Sequence, residues 1–171
     1  YFAQEYGEKG MDKEGFSGRD GRTTIFDYWS VDTMCRADEG NLTEDEKKLA
    51  DIYSKLMNFA RTDKTVTGLS YDLMYANPHS ASFNPDRQYA FLRRSGRQLL
   101  VVVVNFDNLD RDILLNIPEH AFEYLKLSDG KDVMGEEILT GESFAACLSS
   151  KQPLSIHVPK YGAAIIKINK A

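Results

Sequence analysis

Any chemistry in this sequence has to come from carboxylates, because its other reactive groups are scattered. Glu5, Glu8, Asp12, Glu14, Asp20 and Asp27 crowd into the first 27 residues. Two carboxyl groups held roughly 5–5.5 Å apart, one acidic and one nucleophilic, cleave a glycosidic bond with retention. Nothing in the spacing of these six demands such a pair, and loop solvation and turn capping account for them more simply. His79, His120 and His157 stand far apart, so a Ser/His/Asp or Cys/His site has no local signature. Cys35 and Cys147 are equally remote, with no second Cys or His at metal-ligand spacing, and read as two partly buried thiols. Asp107–Asn108–Leu109–Asp110 is too short a ligand series for calcium and reads as a β-turn. Gly15, Gly18 and Gly21 match neither the dinucleotide nor the P-loop spacing. The residues therefore point to no catalytic group, no metal and no cofactor.

The elements that would position these groups fall into three zones. Residues 1–40 are Gly-rich and aromatic, open on the strand-like run Tyr1–Phe2–Ala3, and contain the cluster Ile25–Phe26–Asp27–Tyr28–Trp29. Residues 43–61 read as one amphipathic helix. Thr43 with Glu46 makes a capping box, Glu44, Asp45 and Glu46 suit the positive helix end, and Arg61 suits the other. Leu49, Ile52, Tyr53, Leu56, Met57 and Ala60 recur every three or four residues as a single apolar stripe. From about Tyr71 the texture changes to short strands: Tyr71–Tyr75, Gln88–Arg93, Gln98–Asn105, Asp112–Ile117, a weak one near Val133, Ser143–Leu148, Leu154–Val158 and Ala163–Asn169. Turn signals such as Asn77–Pro78, Asn84–Pro85, Ser95–Gly96, Asp129–Gly130 and Tyr161–Gly162 separate them. Such spacing without intervening helices predicts a mainly β fold, an antiparallel β-sandwich of Greek-key type with about seven or eight strands. Leu99–Val104 lacks polar alternation, which predicts a central strand covered on both faces. Pro118–Leu125 has room for one short helical turn. The domain reading is residues 1–70 as a loop-and-helix segment and 71–171 as the sandwich.

Bulk properties narrow the partners. The chain has 171 residues and a net charge of −5. Residues 1–70 carry 14 acids against 10 bases, a balance of −4, and the rest carry 12 against 11, a balance of −1. Without a basic stripe there is nothing to neutralise a phosphate backbone, so nucleic acid is not an expected partner. The longest apolar run, Leu99–Val104, is far short of the roughly 18 residues of a membrane span, so no membrane partner is expected either. Asn41–Leu42–Thr43 matches the N-glycosylation pattern, but Thr43 is accounted for as the helix cap. Tyr28, Trp29, Tyr71, Tyr75, Phe83 and Tyr89 could offer a flat face to a sugar ring, or serve as core and inter-domain packing.

In this order, the segments resemble the C-terminal third of alpha-amylase superfamily glycoside hydrolases, in which a (β/α)₈ barrel is followed by an antiparallel β-sandwich. Tyr1–Phe2–Ala3–Gln4–Glu5–Tyr6–Gly7–Glu8 resembles the eighth barrel strand, with Ala3 in the usual Gly place. Gly21–Arg22–Thr23–Thr24–Ile25–Phe26–Asp27–Tyr28–Trp29 is similar to the loop that follows, and helix 43–61 to the last barrel helix. Leu73–Asn77, Tyr89–Arg93 and Leu100–Phe106 resemble the first three sandwich strands, including the Asn105–Phe106 pair. Tyr161–Gly162–Ala163 is similar to the turn into the last strand. The family's nucleophilic Asp, acid/base Glu and stabilising Asp lie after earlier barrel strands, so no residue here inherits those roles. Barrel sites lie at the C-terminal strand ends, so the resemblance places Gln4, Glu5, Asp27, Tyr28 and Trp29 at the rim of a parent's cleft.

Three readings follow. The first is an accessory domain that stabilises a glycoside hydrolase acting on starch-like α-glucans, inactive alone, with the parent barrel as partner. Its uncovered apolar surface would promote self-association. The second is a carbohydrate-binding module holding maltooligosaccharides on surface aromatics. The third, ranked last, is a small hydrolase using Glu5 or Glu8 with Asp27.

Overall fold

The computed structural model describes residues 3–8 and 32–171. The chain divides into two compact units, residues 1–58 and 59–171.

The described part of the first unit is helical. Ala3 and Gly7 both adopt left-handed backbone, with φ of 57° and 73°, and bracket a single 3₁₀ turn at Gln4–Tyr6. The sequence reading of a strand running through this segment therefore fails from Ala3 onward. Two left-handed residues four apart reverse the chain, and the Glu8 amide donates back to the Ala3 carbonyl at 3.2 Å. Helix α1 (Asp32–Asp38) follows, and its Thr33 hydroxyl donates to Glu8. Helix α2 (Glu44–Thr62) starts with the capping box read from the sequence. The Thr43 amide donates to Glu46 Oε2 at 2.8 Å and the Glu46 amide to Thr43 Oγ1 at 3.3 Å. Glu46 also takes two hydrogen bonds from the Arg36 guanidinium, and these with the Thr43 amide hold its pKa down at about 2.

Ala3 sits where an L side chain is disfavoured by about 1–2 kcal/mol relative to glycine. Ala3→Gly is expected to stabilise the chain by about 0.5–1 kcal/mol, the remainder being offset by the greater freedom of unfolded glycine. Gly7→Ala is expected to do the reverse, because its Cβ would also meet Leu49 Cδ2 at 3.2 Å. Urea denaturation of both variants checks this, and equal midpoints would count against it.

The second unit is the sandwich. Its strands are β1 (Leu69–Asp72), β2 (Gln88–Ser95), β3 (Gln98–Asn105), β4 (Arg111–Leu115), β5 (Lys131–Glu137), β6 (Ser143–Leu148), β7 (Leu154–Val158) and β8 (Gly162–Ile168). One antiparallel sheet has the order β1-β2-β3-β8-β5-β6, and β4 and β7 form a second, two-stranded sheet. The expected strands Gln98–Asn105, Ser143–Leu148 and Leu154–Val158 match to the residue. The segment after β1 differs, since Met74–Ala76 is a 3₁₀ turn rather than strand. Its polar backbone is served by side chains instead of a ladder: Asp72 accepts the Met74 amide, and Asn77 Nδ2 donates to the Leu73 and Asn116 carbonyls.

Register explains why β3 is buried on both faces. The rank Tyr71–Leu92–Val101–Ile166 points into the core with Ile113, Leu115, Ile156 and Val158 of the small sheet. The next rank, Arg93–Leu100–Lys167, points outward. There Arg93 donates to the Val66 carbonyl and Lys167 pairs with Asp63, so residues 63–67 are strapped across Leu100. Further along, Gly135 lets β5 approach β8, since a Cβ there would stand 2.4 Å from the Lys167 carbonyl oxygen.

Burial alone would raise the Asp63 pKa, but hydrogen bonds from Lys167 and from the Thr65 hydroxyl and amide outweigh it and hold it below the ordinary value. A depressed folded pKa contributes stability that is complete above the unfolded value of about 3.9 and fades as pH falls through the folded one. Acidification below about pH 4 is therefore expected to lower the urea midpoint, with a shallower slope in Asp63→Asn. Parallel pH profiles for the two proteins would refute this.

Candidate ligand-binding site

The sequence builds one aromatic cleft in the second unit. Edge strand β1 supplies Ser70, Tyr71 and Asp72, and the 3₁₀ turn after it supplies Tyr75. Helix α3 (Glu119–Leu125) is anchored by buried Ala121, Phe122 and Leu125. That anchoring leaves His120 and Tyr124, one helical turn apart, on its exposed side. These six residues line a cleft of about 480 Å³.

Tyr71 is the floor. It is buried, and its ring lies 6.3 Å from that of Tyr75, 5.7 Å from His120 and 5.8 Å from Tyr124, centroid to centroid. His120 and Tyr124 stack, 6.3 Å apart with their planes 25° from parallel. The Tyr71 hydroxyl is hydrogen-bonded to the Tyr75 hydroxyl and, at 2.8 Å, to His120 Nδ1. Burial, then the bond to Tyr75, pushes the Tyr71 pKa up, so it stays a neutral phenol. A phenol in the middle of such a relay donates to one neighbour and accepts from the other. If Tyr71 donates to Nδ1, His120 keeps its proton on Nε2. If Nδ1 donates to Tyr71, the Tyr75 hydroxyl is left free to donate. Either direction ends in one available donor beside exposed aromatic surface. Asp72 commits Oδ1 to the Met74 amide, and its other oxygen remains an acceptor.

The residues singled out in sequence fare unequally. Gln4 is exposed and Glu5 half-buried in the 3₁₀ turn. Asp27, Tyr28 and Trp29 lie outside the described residues. Tyr71 and Tyr75 do come together, whereas Phe83 is core and Tyr89 sits by Phe91. His79 lies 3.3 Å from Asp86 and His157 2.8 Å from Asp112, both exposed pairs. Cys35 and Cys147 are both exposed, not partly buried, because each sits on an outward-facing position of its element. His120 and Tyr124 were missed as site residues; their four-residue spacing in the Pro118–Leu125 segment was the available signal.

The turn Asp107–Asp110 is structural. Asp107 is buried between Arg87 (2.9 Å) and Arg111, and the Arg111 hydrogen bond is the main cause holding its pKa below the ordinary value. Asn105 supports it from the end of β3. Its Oδ1 accepts from the Asp107 amide at 3.0 Å and Gln88 Nε2 at 2.9 Å. Its Nδ2 donates to the carbonyls of Leu109 at 2.9 Å and Pro159 at 3.1 Å.

Residues 80–169 match the family model described as alpha amylase, C-terminal all-beta domain. No curated protein matches the sequence significantly. Among solved structures, the chain is similar to a noncanonic maltogenic alpha-amylase, AmyB from Thermotoga neapolitana, with a TM-score of 0.53 at 11% identity, covering 72% of this chain and 26% of that one. Alpha-galactosidase I from Mortierella vinacea gives 0.51 at 10% identity, covering 75% and 29%. AmyP in complex with maltose gives 0.51 at 16%, covering 74% and 22%. The chain thus spans under a third of each of these proteins, and at such identities the likeness is one of fold.

Proposed function

Because the chain belongs to the family of alpha-amylase C-terminal all-beta domains, we propose that it is the accessory sandwich of a glycoside hydrolase acting on starch-like α-glucans. In this reading it is not catalytic by itself. It shields and stabilises the catalytic barrel of the parent enzyme. The observation that carries the reading is the family match over residues 80–169, laid on a sandwich whose buried carboxylates are tied to basic side chains. Asp63 and Asp107 hold the sandwich together and are not available for acid–base exchange with a substrate. Incubating the purified chain, at verified mass, with a chromogenic maltooligosaccharide is expected to release no product. Turnover by this chain alone would overturn the reading and direct attention to the carboxylates of residues 5–27.

Helix α2 supports a partner surface. None of its side chains is buried, and Met57 is 67% exposed. Its stripe of Leu49, Ile52, Tyr53, Leu56 and Met57 fits the barrel as cover. In the isolated chain this stripe seeks another partner. Sedimentation velocity is expected to show a weight-average mass that rises with concentration, and Ile52→Asp/Met57→Asp is expected to abolish the rise. A clean monomer at high concentration would count against the exposed stripe as a docking face.

A further inference from the structure

We propose that the cleft between Tyr75 and Tyr124 holds pyranose rings of a neutral glucan chain, an inference that rests on the accessory role above and gives it a substrate-contacting surface. A pyranose presents one face of C–H bonds and a rim of hydroxyls. The cleft presents the complement. Tyr75 and Tyr124, 65% and 48% exposed, offer apolar ring surface that water covers in the free protein. Around them stand groups suited to hydroxyls: the second oxygen of Asp72, the Ser70 side chain, and the donor at the end of the Tyr75–Tyr71–His120 relay. Since the relay is reversible, the site can donate at either end, which suits a ligand whose hydroxyls both give and accept.

The lining also excludes other ligands. It contains no lysine or arginine, so a phosphate or sulfate finds no permanent counter-charge. Asp72 repels anions further. The cleft volume of about 480 Å³ is in the range of small-molecule sites and accommodates one or two hexose units. The floor is preorganised, because Tyr71 is buried and the α3 anchors are in the core. Little ordering is then left for the moment of binding.

The test is an amide and aromatic NMR titration of the whole chain with maltoheptaose. Saturating shifts at Ser70–Tyr75 and His120–Tyr124, weakened at least tenfold in Tyr124→Ala and in Tyr75→Ala, would support the site. Tyr161→Ala, an exposed tyrosine of the β7–β8 turn, should leave the affinity unchanged. The spectra also verify folding, since the core residues Val133 and Leu148, at the other end of the sheet from β1, should keep their resonances in the variants. Absence of shifts, shifts confined elsewhere, or equal affinity in both cleft variants would overturn the proposal without touching the accessory role. A parallel titration with cellohexaose reads the linkage preference: binding equal to that of maltoheptaose keeps the cleft as a glucan site and removes it as support for an α-glucan parent, while the accessory role still stands on the family match.

Discussion

Replacing Asn105 with leucine is expected to destabilise the chain by about 3–5 kcal/mol. Leucine keeps the branched outline of the side chain and the strand but is bulkier, so overpacking at this fully buried position adds to the loss of the amide. Two buried donors, Gln88 Nε2 and the Asp107 amide, would lose their acceptor, at about 1–3 kcal/mol each. The Leu109 and Pro159 carbonyls would lose a donor as well, and the turn that holds Asp107 between its arginines would loosen. Against a typical total of about 5–15 kcal/mol this is a large share. Urea melts should show a much lower midpoint at constant slope, and thermal melts a fall of more than about 10 °C. A loss under about 1 kcal/mol would mean that water replaces the amide and that the network is not the lock described.

The second large effect is expected at Ile113. This residue is fully buried in β4 and belongs to the two-stranded layer, which meets the main sheet only through side chains. Truncation to alanine removes interlayer contact and leaves a cavity, at about 2–5 kcal/mol. A two-stranded ribbon has little stability of its own. Amide exchange in β4 and β7 is therefore expected to accelerate more than in β2 and β3. Uniform acceleration across both layers would show instead that the sandwich opens only as a whole.

The sandwich was legible because its signals are short-range. The unbroken run Leu99–Val104 marked the central strand, and the turn residues marked most of the strand ends. What escaped was decided by side-chain-to-backbone bonding. Tyr71–Tyr75 reads as strand by composition, yet Asp72 and Asn77 satisfy the backbone locally and turn Met74–Ala76 into a 3₁₀ segment. The aromatic cleft was half visible: Tyr71 and Tyr75 stood out by type, but His120 approaches Tyr71 across 49 positions. No local pattern reports such a contact. Ala3 was noticed as a residue in an expected glycine place, and its positive φ supplies the physical reason that glycine suits the position.

The Asp107 bracket bears on how this sequence can drift over generations. Arg87 and Arg111 are 56% and 38% exposed, whereas Asp107 is 2% exposed. Losing the acid first leaves two guanidinium groups that can turn to water. Losing both bases first strands a carboxylate in the interior. The three positions are thus epistatic with a direction: a lineage that abandons the bracket reaches a viable intermediate by changing Asp107 before the second arginine, and the reverse order passes through a fitness valley.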